Sequence, residues 1–503
     1  MDVHNALYDF FKLTFFRTGQ REIINDLLNG QDVLAMLPTG AGKSLCYQLP
    51  AFMLTGITVV VSPLLSLMED QVQQLKSKGL KRVVALNSFL SNEEREIAFQ
   101  QLSSQKIIYV SPEILQSKFV MKKLKSLTIS LFVVDEAHCI SQWGHEFRTD
   151  YFKLSEARQQ LGNPPCLAIT ATATKEVQRD IVEKLSLTNV QTHIYSIDRP
   201  NIAMIVKQGS DTIEEKLTEL VSLVKSLQGP GIIYASTRKW TEDIARILQN
   251  KGIKHVSAYH GGMSNEDRLL IQQQFINDEL QLICCTSAFG MGVNKQNIRY
   301  VIHFHFPMQL ESYLQEIGRA GRDGEKSIAI TFYSEEEKGL QLSLLTREFP
   351  SDQQVREVLM FIRSKANLGQ INELNLMAET GITEIMWRFI RFHLEEQGVI
   401  VDLSYHRLND KAVDVFKVIS EKITSRIQYK QRKLTLFQEW LKETRSCRRE
   451  TVLDQFNESL TVRPDNCCDV CGIKLESYFA TEGFYQEYFF QSWQKELKRI
   501  FHN

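Results

Sequence analysis

The chain has 503 residues and 58.1 kDa, more than one compact core holds; at about 100–200 residues per domain it implies three or four units. Hydrophobic residues are 43% and charged residues 24%, proportions that exclude a mostly disordered or fibrous protein. Lys and Arg number 59 against 60 Asp and Glu, a net charge of −1, so bulk charge selects no partner and a polyanion would have to meet a local patch.

Residues 1–16 carry Asp2, His4, Asp9 and Lys12, so no uninterrupted apolar signal segment is present there. The most apolar runs, such as 57–61 and 131–134, fall far short of the ~20 residues that cross a bilayer. A cytoplasmic protein is expected. Five of the nine cysteines are scattered and four fall within 25 residues near the C-terminus, which argues for reduced thiols and one metal site rather than a disulfide framework.

From about residue 20 to 335, short β-branched runs alternate with amphipathic helical stretches. Segments 32–36, 58–61, 107–110, 131–134 and 167–170 read as buried strands. After Asp198-Arg199-Pro200-Asn201 the pattern restarts with 231–235, 256–259, 282–286, 300–304 and 327–332. Alternating strands and helices imply parallel sheets covered on both faces. The fold class expected is therefore α/β, with two tandem parallel-sheet domains, 1–200 and 201–345. Residues 346–410 read as helix, turn, helix, strand, the outline of a winged-helix module or a small helical connector. Residues 411–463 are helical and basic, and the helical module 411–475 holds the cysteine cluster. The stretch 476–503 is an aromatic-rich tail expected to pack back on the body.

Within this order, Met36-Leu37-Pro38-Thr39-Gly40-Ala41-Gly42-Lys43-Ser44 follows a predicted strand and precedes a helix. Glycines there let backbone N–H groups converge on phosphate oxygens, and the helix N-terminus adds its dipole. Lys43 would reach the β/γ-phosphates and Ser44 would bind Mg²⁺, although Leu37 stands where the general pattern has Gly. Val133-Val134-Asp135-Glu136-Ala137-His138 ends an apolar strand in adjacent carboxylates. Asp135 would hold Mg²⁺ and Glu136 would polarise the attacking water. Gln315-Glu316-Ile317-Gly318-Arg319-Ala320-Gly321-Arg322 places two arginines three apart, on one face if helical. Such arginines stabilise charge on a transferring γ-phosphoryl. Near the end, Cys447, Cys467, Cys468 and Cys471 include the Cys-x2-Cys spacing that shares one tetrahedral Zn²⁺, and four thiolates make a closed, structural site. A reduced metal-free cluster and an iron–sulfur centre are the alternatives.

With these elements in order, the chain resembles a superfamily 2 helicase and, more narrowly, the RecQ family of DNA helicases. The residues that carry this are Ala137-His138-Cys139-Ile140-Ser141-Gln142-Trp143-Gly144-His145-Glu146-Phe147-Arg148, similar to the family's aromatic-rich loop, and Phe16-Arg17-Thr18-Gly19-Gln20, similar to its adenine motif. Thr170-Ala171-Thr172-Ala173, Phe289-Gly290-Met291-Gly292-Val293-Asn294-Lys295 and the double-arginine segment also fit. The resemblance implies that both parallel-sheet domains are RecA-like. It implies ATP-driven 3′→5′ movement on single-stranded DNA and duplex unwinding in repair or recombination, with tailed or branched duplex as substrate, repair or replication proteins as partners and a nucleoid-associated location.

Residue by residue, the resemblance implies that Gln20 bonds the adenine edge, Arg17 stacks on the ring, and Thr39, Gly40, Ala41, Gly42, Lys43, Ser44 and Asp135 bind the nucleotide and Mg²⁺. It makes Trp143, Phe147 and Arg148 sensors of single-stranded DNA, since aromatics offer sequence-tolerant stacking. It makes Ser62-Pro63-Leu64, Ser111-Pro112-Glu113 and Ser236-Thr237-Arg238 strand-tracking motifs, whose hydroxyls and Arg238 can donate to phosphates. Cys447-Arg448-Arg449 and Cys467-Cys468-Asp469-Val470-Cys471 resemble the family's zinc module, with Tyr429-Lys430 and Lys433-Leu434 in its preceding helix. The intervening 352–410 resembles the short RecS-type branch. If it is a winged helix, Arg388, Arg391, His406 and Arg407 are candidates to touch duplex DNA; otherwise they are a solvated helical face. An RNA helicase or a translocase without unwinding, and a catalytically silent DNA-binding scaffold, remain the alternatives to the helicase.

Overall fold

The computed structural model describes residues 2–63, 65–87, 92–141, 148–209, 212–289, 295–364, 370–401, 403–405 and 414–480. The first lobe is built on strands β1 (Val33–Met36), β2 (Ile57–Val61), β3 (Val83–Leu86), β4 (Ile107–Val110), β5 (Ile129–Asp135), β6 (Cys166–Thr170) and β7 (Gln191–Ile194). All pair in parallel, in the order β3-β4-β2-β5-β6-β1-β7. Their near-continuous apolar sequences follow from burial on both faces. Leu131 and Val133 pack with Val33, Ala35 and Leu49 on one side, whereas Phe132 and Val134 pack with Leu34, Met36 and Ala168 on the other.

The second lobe repeats the plan with β8 (Ile202–Gln208), β9 (Gly231–Tyr234), β10 (Val256–Tyr259), β11 (Leu282–Cys285), β12 (Tyr300–His303) and β13 (Ser327–Tyr333). They form a parallel sheet ordered β10-β11-β9-β12-β13-β8. Two RecA-like parallel-sheet domains are thus present. Three strands lie outside the runs read from sequence. Val83–Leu86 and Gln191–Ile194 are edge strands; the first is apolar and largely buried, whereas the second alternates half-buried with exposed residues and so lacks the apolar density of an interior strand. Ile202–Gln208 also lies at a sheet edge, yet its first five residues are buried.

What covers that edge is the cysteine module. Met204 bridges Cys468 in parallel, its N–H donates to the Cys467 carbonyl at 3.3 Å, and its carbonyl accepts from Asp469 N–H at 3.0 Å. The 28-residue helix Val415–Lys442 leads into the module. Its Phe437 and Trp440 stack at 5.5 Å and 12°, with Tyr313 of the second lobe 5.2 Å from Trp440. Unpaired edge groups are a liability, and this docking removes it.

Between the lobes and this module, helices Asp352–Ser364, Glu373–Thr380 and Glu384–Glu396 precede a hairpin of β14 (Ile400–Val401) and β15 (Ser404–Tyr405). Gly381, at φ 64, ends the second helix, and the Thr383 side chain caps the third. These three helices and the hairpin pack around Val355, Ile362, Leu376, Trp387 and Ile390, and this core extends into Ile419 and Ile423 of the long helix. The start of the aromatic tail packs on the second lobe: Gln228 N–H donates to the Tyr478 carbonyl at 2.9 Å and Ala480 N–H to that of Ser226 at 2.8 Å. Residues 481–503 lie outside the described residues. No described helix is long and apolar enough to cross a membrane.

Candidate active site

The loop after β1 turns through Gly40 (φ +89) and Gly42 (φ +80), left-handed conformations that favour glycine. A Cβ on Gly42 would lie 2.6 Å from Gln20 Nε2, so the loop also needs glycine for close approach. Lys43 and Ser44 follow at the start of helix Leu45–Met53. Asp135 ends β5, and its Oδ1 accepts from Glu136 N–H at 2.9 Å. Glu136 adopts φ 48, a left-handed conformation unusual for a residue with a side chain. Its carboxylate lies 3.8 Å from Lys43 Nζ and 3.5 Å from His138 Nδ1.

Electrostatics follow from burial. The Asp135 carboxyl is pushed up to about 7 by desolvation and then by neighbouring Glu136, with Lys43 opposing. His138 is pulled down to about 3 by desolvation, then by Lys43 and Arg148, so its ring is neutral around neutral pH. His138 Nδ1 lies 2.8 Å from Thr170 Oγ1, which in turn donates to the Thr172 carbonyl at 3.3 Å. The carboxylate strand is therefore tied to Thr170-Ala171-Thr172.

The second lobe closes this site. A cleft of about 510 Å³ is lined by Arg17, Gln20, Thr39, Gly40, Gly42, Lys43, Ser44, Asp135 and Glu136 from the first lobe and by Gln315, Arg319 and Arg322 from the second. Helix Leu310–Ile317 ends before the arginines, so they lie on the turn after it rather than on one helical face, yet both line the cleft. Arg319 Nε donates to Tyr234 Oη at 2.8 Å, which fixes its direction; Tyr234 in turn donates to the Phe289 carbonyl at 3.0 Å. Arg322 is pulled down to about 9 by burial, then by Arg319 and Arg199. In this conformation Arg17 and Gln20 turn onto the phosphate loop. Gln20 Nε2 donates to the Ala41 and Gly42 carbonyls at 3.0 Å each, and Arg17 Nη1 donates to the Gly40 carbonyl.

The expected strand-tracking residues gather at the carboxyl ends of adjacent strands. Arg148 Nη1 donates to the Pro63 carbonyl at 2.9 Å and lies 4.0 Å from Glu113. The Ser111 hydroxyl is buried and caps helix Pro112–Leu115 by accepting from Ile114 N–H, and Ser62 is buried as well, so neither hydroxyl is displayed to a ligand in this conformation. Ser236 accepts from Gln341 Nε2 at 3.2 Å, and Arg238 beside it is exposed. Trp143 and Phe147, like His406 and Arg407, lie outside the described residues.

Arg388 and Arg391 require a correction. In this structure they are not a free DNA-facing surface. Arg388 pairs with Glu113 at 2.7 Å, Asp150 at 3.6 Å and Glu384 at 2.6 Å, and Arg391 with Glu373 at 3.0 Å and Glu395 at 2.7 Å. The helix that carries them is docked on the first lobe, where Phe392 also stacks on Phe152 at 5.1 Å and Lys153 pairs with Glu395 at 2.5 Å.

The cysteine cluster converges. One Sγ from each of Cys447, Cys467, Cys468 and Cys471 lies within 4.8 Å of the others, and Cys447 and Cys467 are 3.7 Å apart. Tetrahedral Zn–S bonds of about 2.3 Å put neighbouring sulfurs about 3.8 Å apart, so the four thiols fit zinc. Arg448, fully buried, pairs with Asp469 at 2.5 and 2.9 Å and donates to the Trp440 carbonyl at 2.8 Å.

Comparison with known proteins agrees with this geometry. The DEAD/DEAH box helicase profile matches residues 17–180 and the helicase conserved C-terminal domain profile matches residues 214–324. The probable ATP-dependent DNA helicase RecS of Bacillus subtilis is 44% identical over 501 residues, 99% of this chain and 98% of that protein. The chain belongs to the RecQ family, in its short RecS branch. The ATP-dependent DNA helicase RecQ of Haemophilus influenzae is 42% identical over 330 residues, 65% of this chain but 53% of that longer protein. Among solved structures, Mycobacterium smegmatis helicase Lhr bound to ssDNA and AMP-PNP superposes with TM-score 0.56 at 19% identity over 75% of this chain and 54% of its own. DEAD-box helicase Mss116 bound to ssRNA and UDP-BeF gives 0.56 at 18% over 81% and 95%. These two show the shared fold.

Sequence reasoning did not single out Tyr234, Arg199 or Arg449. Tyr234 reads only as a strand residue, and Arg199 and Arg449 are marked only by the motifs around them.

Proposed function

We propose that the chain is an ATP-dependent DNA helicase that couples hydrolysis to 3′→5′ movement on single-stranded DNA and to separation of duplex. The observation that carries this is the single cleft in which Lys43, Asp135 and Glu136 of one lobe meet Arg319 and Arg322 of the other. Lys43 and the loop amides hold the β/γ-phosphates. Ser44 and Asp135 would hold Mg²⁺, which neutralises phosphate charge. Glu136 orients the attacking water and accepts its proton. Arg319, aimed by Tyr234, and Arg322 stabilise charge on the γ-phosphoryl, so turnover depends on lobe closure. Arg17 and Gln20 leave the loop carbonyls to meet the adenine.

Single-stranded DNA is tracked by the edge bearing Ser62, Pro63, Ser111 and Arg148 in the first lobe and by Ser236 and Arg238 in the second, with Trp143 and Phe147 stacking on bases. Because Arg148 N–H bonds the Cys139 carbonyl, four residues from Asp135, strand contact and carboxylate position are linked. Cys447, Cys467, Cys468 and Cys471 would hold a structural Zn²⁺, which would supply a cross-link within the module that docks on β8. Replacing Lys43 with Ala tests the assignment. ATP hydrolysis should fall at least 100-fold with DNA binding retained, and a variant with normal turnover overturns it.

A further inference from the structure

We propose that Arg199, in the linker between the lobes, is a positioning residue that locks the phosphate loop against the arginine-bearing turn in the closed cleft. The proposal rests on the ATPase reading above. The Arg199 guanidinium donates to four main-chain carbonyls at once: Nη1 to Thr39 at 2.8 Å and Gly318 at 3.1 Å, Nη2 to Ala320 at 3.0 Å and Gly321 at 2.6 Å. Thr39 belongs to the phosphate loop. The other three flank Arg319 and lead into Arg322. A planar fork with five donors can make this set, whereas an ammonium is a compact point charge without that geometry.

The two loops meet at this point, for a Cβ added to Gly318 would lie 3.0 Å from Thr39 Cβ and one on Gly40 would lie 3.5 Å from Arg199 Nη1. The bonds are asymmetric. Three join Arg199 to the second lobe and one crosses to the first. When the lobes part, Arg199 leaves with the arginine turn and the Thr39 bond is the one that breaks.

The linker is gripped from behind. Arg449, two residues after Cys447, pairs with Asp198 and donates to the Arg199 carbonyl at 3.0 Å and the Ile202 carbonyl at 2.5 Å. Glu458 accepts from Ser196 and from Ile197 N–H at 3.2 Å. The cysteine module thus holds the backbone from which Arg199 reaches the cleft. Arg199 touches no reacting atom; it acts through the placement of Arg319 and Arg322 relative to Thr39–Ser44.

The test compares full-length wild type, Arg199→Ala and Arg199→Lys, with Lys43→Ala as background control. It measures DNA-stimulated kcat and KM, affinity for a fluorescent ATP analogue and for single-stranded DNA, zinc content and Tm. Both Arg199 variants should lose at least tenfold in kcat, with the two affinities within threefold and zinc and Tm unchanged. Failure of Lys to rescue identifies the fork rather than the charge as the working part. A kcat within threefold of wild type in Arg199→Ala, or full rescue by Lys, overturns the proposal. So does a parallel loss of kcat, affinity and Tm in Arg199→Lys, which keeps length and charge and carries the test if Ala does not fold. Wild-type turnover no higher than that of Lys43→Ala would instead sink the ATPase reading itself.

Discussion

Replacing Arg448 with Met should loosen the cysteine module far more than a lost surface ion pair. Arg448 is 1% exposed and Asp469 22%. The guanidinium meets both carboxylate oxygens and donates to the Trp440 and Leu441 carbonyls in the last turn of helix Val415–Lys442, where the final carbonyls run short of intrahelical donors. Breaking a buried pair costs about 3–5 kcal/mol because the remaining charge is stranded. Asp469 keeps some hydration and the Val206 N–H bond at 3.2 Å, which lowers the figure to about 2–4 kcal/mol. At about 1.4 kcal/mol per tenfold, this is a roughly 30- to 800-fold rise in local opening. Zinc release into excess chelator, followed by a chromophoric indicator, reads that opening. Replacing Asp469 with Leu as well should cost less than the sum of the two single changes, since no charge is then stranded. Release within threefold of wild type in Arg448→Met, or strict additivity in the pair, would refute the reasoning.

Three further outcomes are expected. Reversing Arg388 and Lys153 together to Glu should undock the three-helix segment, since three attractions worth roughly 0.2–1 kcal/mol each become repulsions; the radius of gyration from X-ray scattering should rise, and an unchanged value contradicts the docking. His138 has a folded pKa near 3 against an ordinary 6.5, so below pH 6.5 the unfolded chain takes up a proton that the folded chain refuses, and stability falls as pH falls by up to about 1.4 kcal/mol per unit. Thermal midpoints of His138→Gln should therefore drop less between pH 6.5 and 5 than those of wild type, and parallel curves would be contrary. Changing Glu136 to Gln should leave ATP binding within about threefold while hydrolysis slows at least 100-fold, and near-normal turnover removes Glu136 from the proton path.

Much of the cleft was legible because its chemistry is local. Gly40, Gly42, Lys43 and Ser44 lie in one turn, and Asp135 and Glu136 end one apolar strand. Interior strands such as Ile107–Val110 announce themselves by continuous burial. Edge strand Gln191–Ile194 does not, because half its side chains meet solvent. The role of Ile202–Gln208 as the platform for Cys467 and Cys468 depends on residues more than 260 positions away. Arg199 reads as a charged residue in a proline-containing linker until the lobes bring Thr39 and Gly321 to it. Arg388 is the converse case, since helical periodicity shows a charged face and tertiary packing alone decides that Glu113 and Asp150 meet it.

The most direct test of the central claim is the ATPase rate without nucleic acid, with single-stranded DNA and with single-stranded RNA, measured beside strand displacement on a 3′-tailed DNA duplex. The account predicts strong stimulation by DNA, little by RNA, and displacement that stops in Lys43→Ala. Stimulation by RNA alone, or DNA-stimulated turnover without displacement, would contradict a DNA helicase.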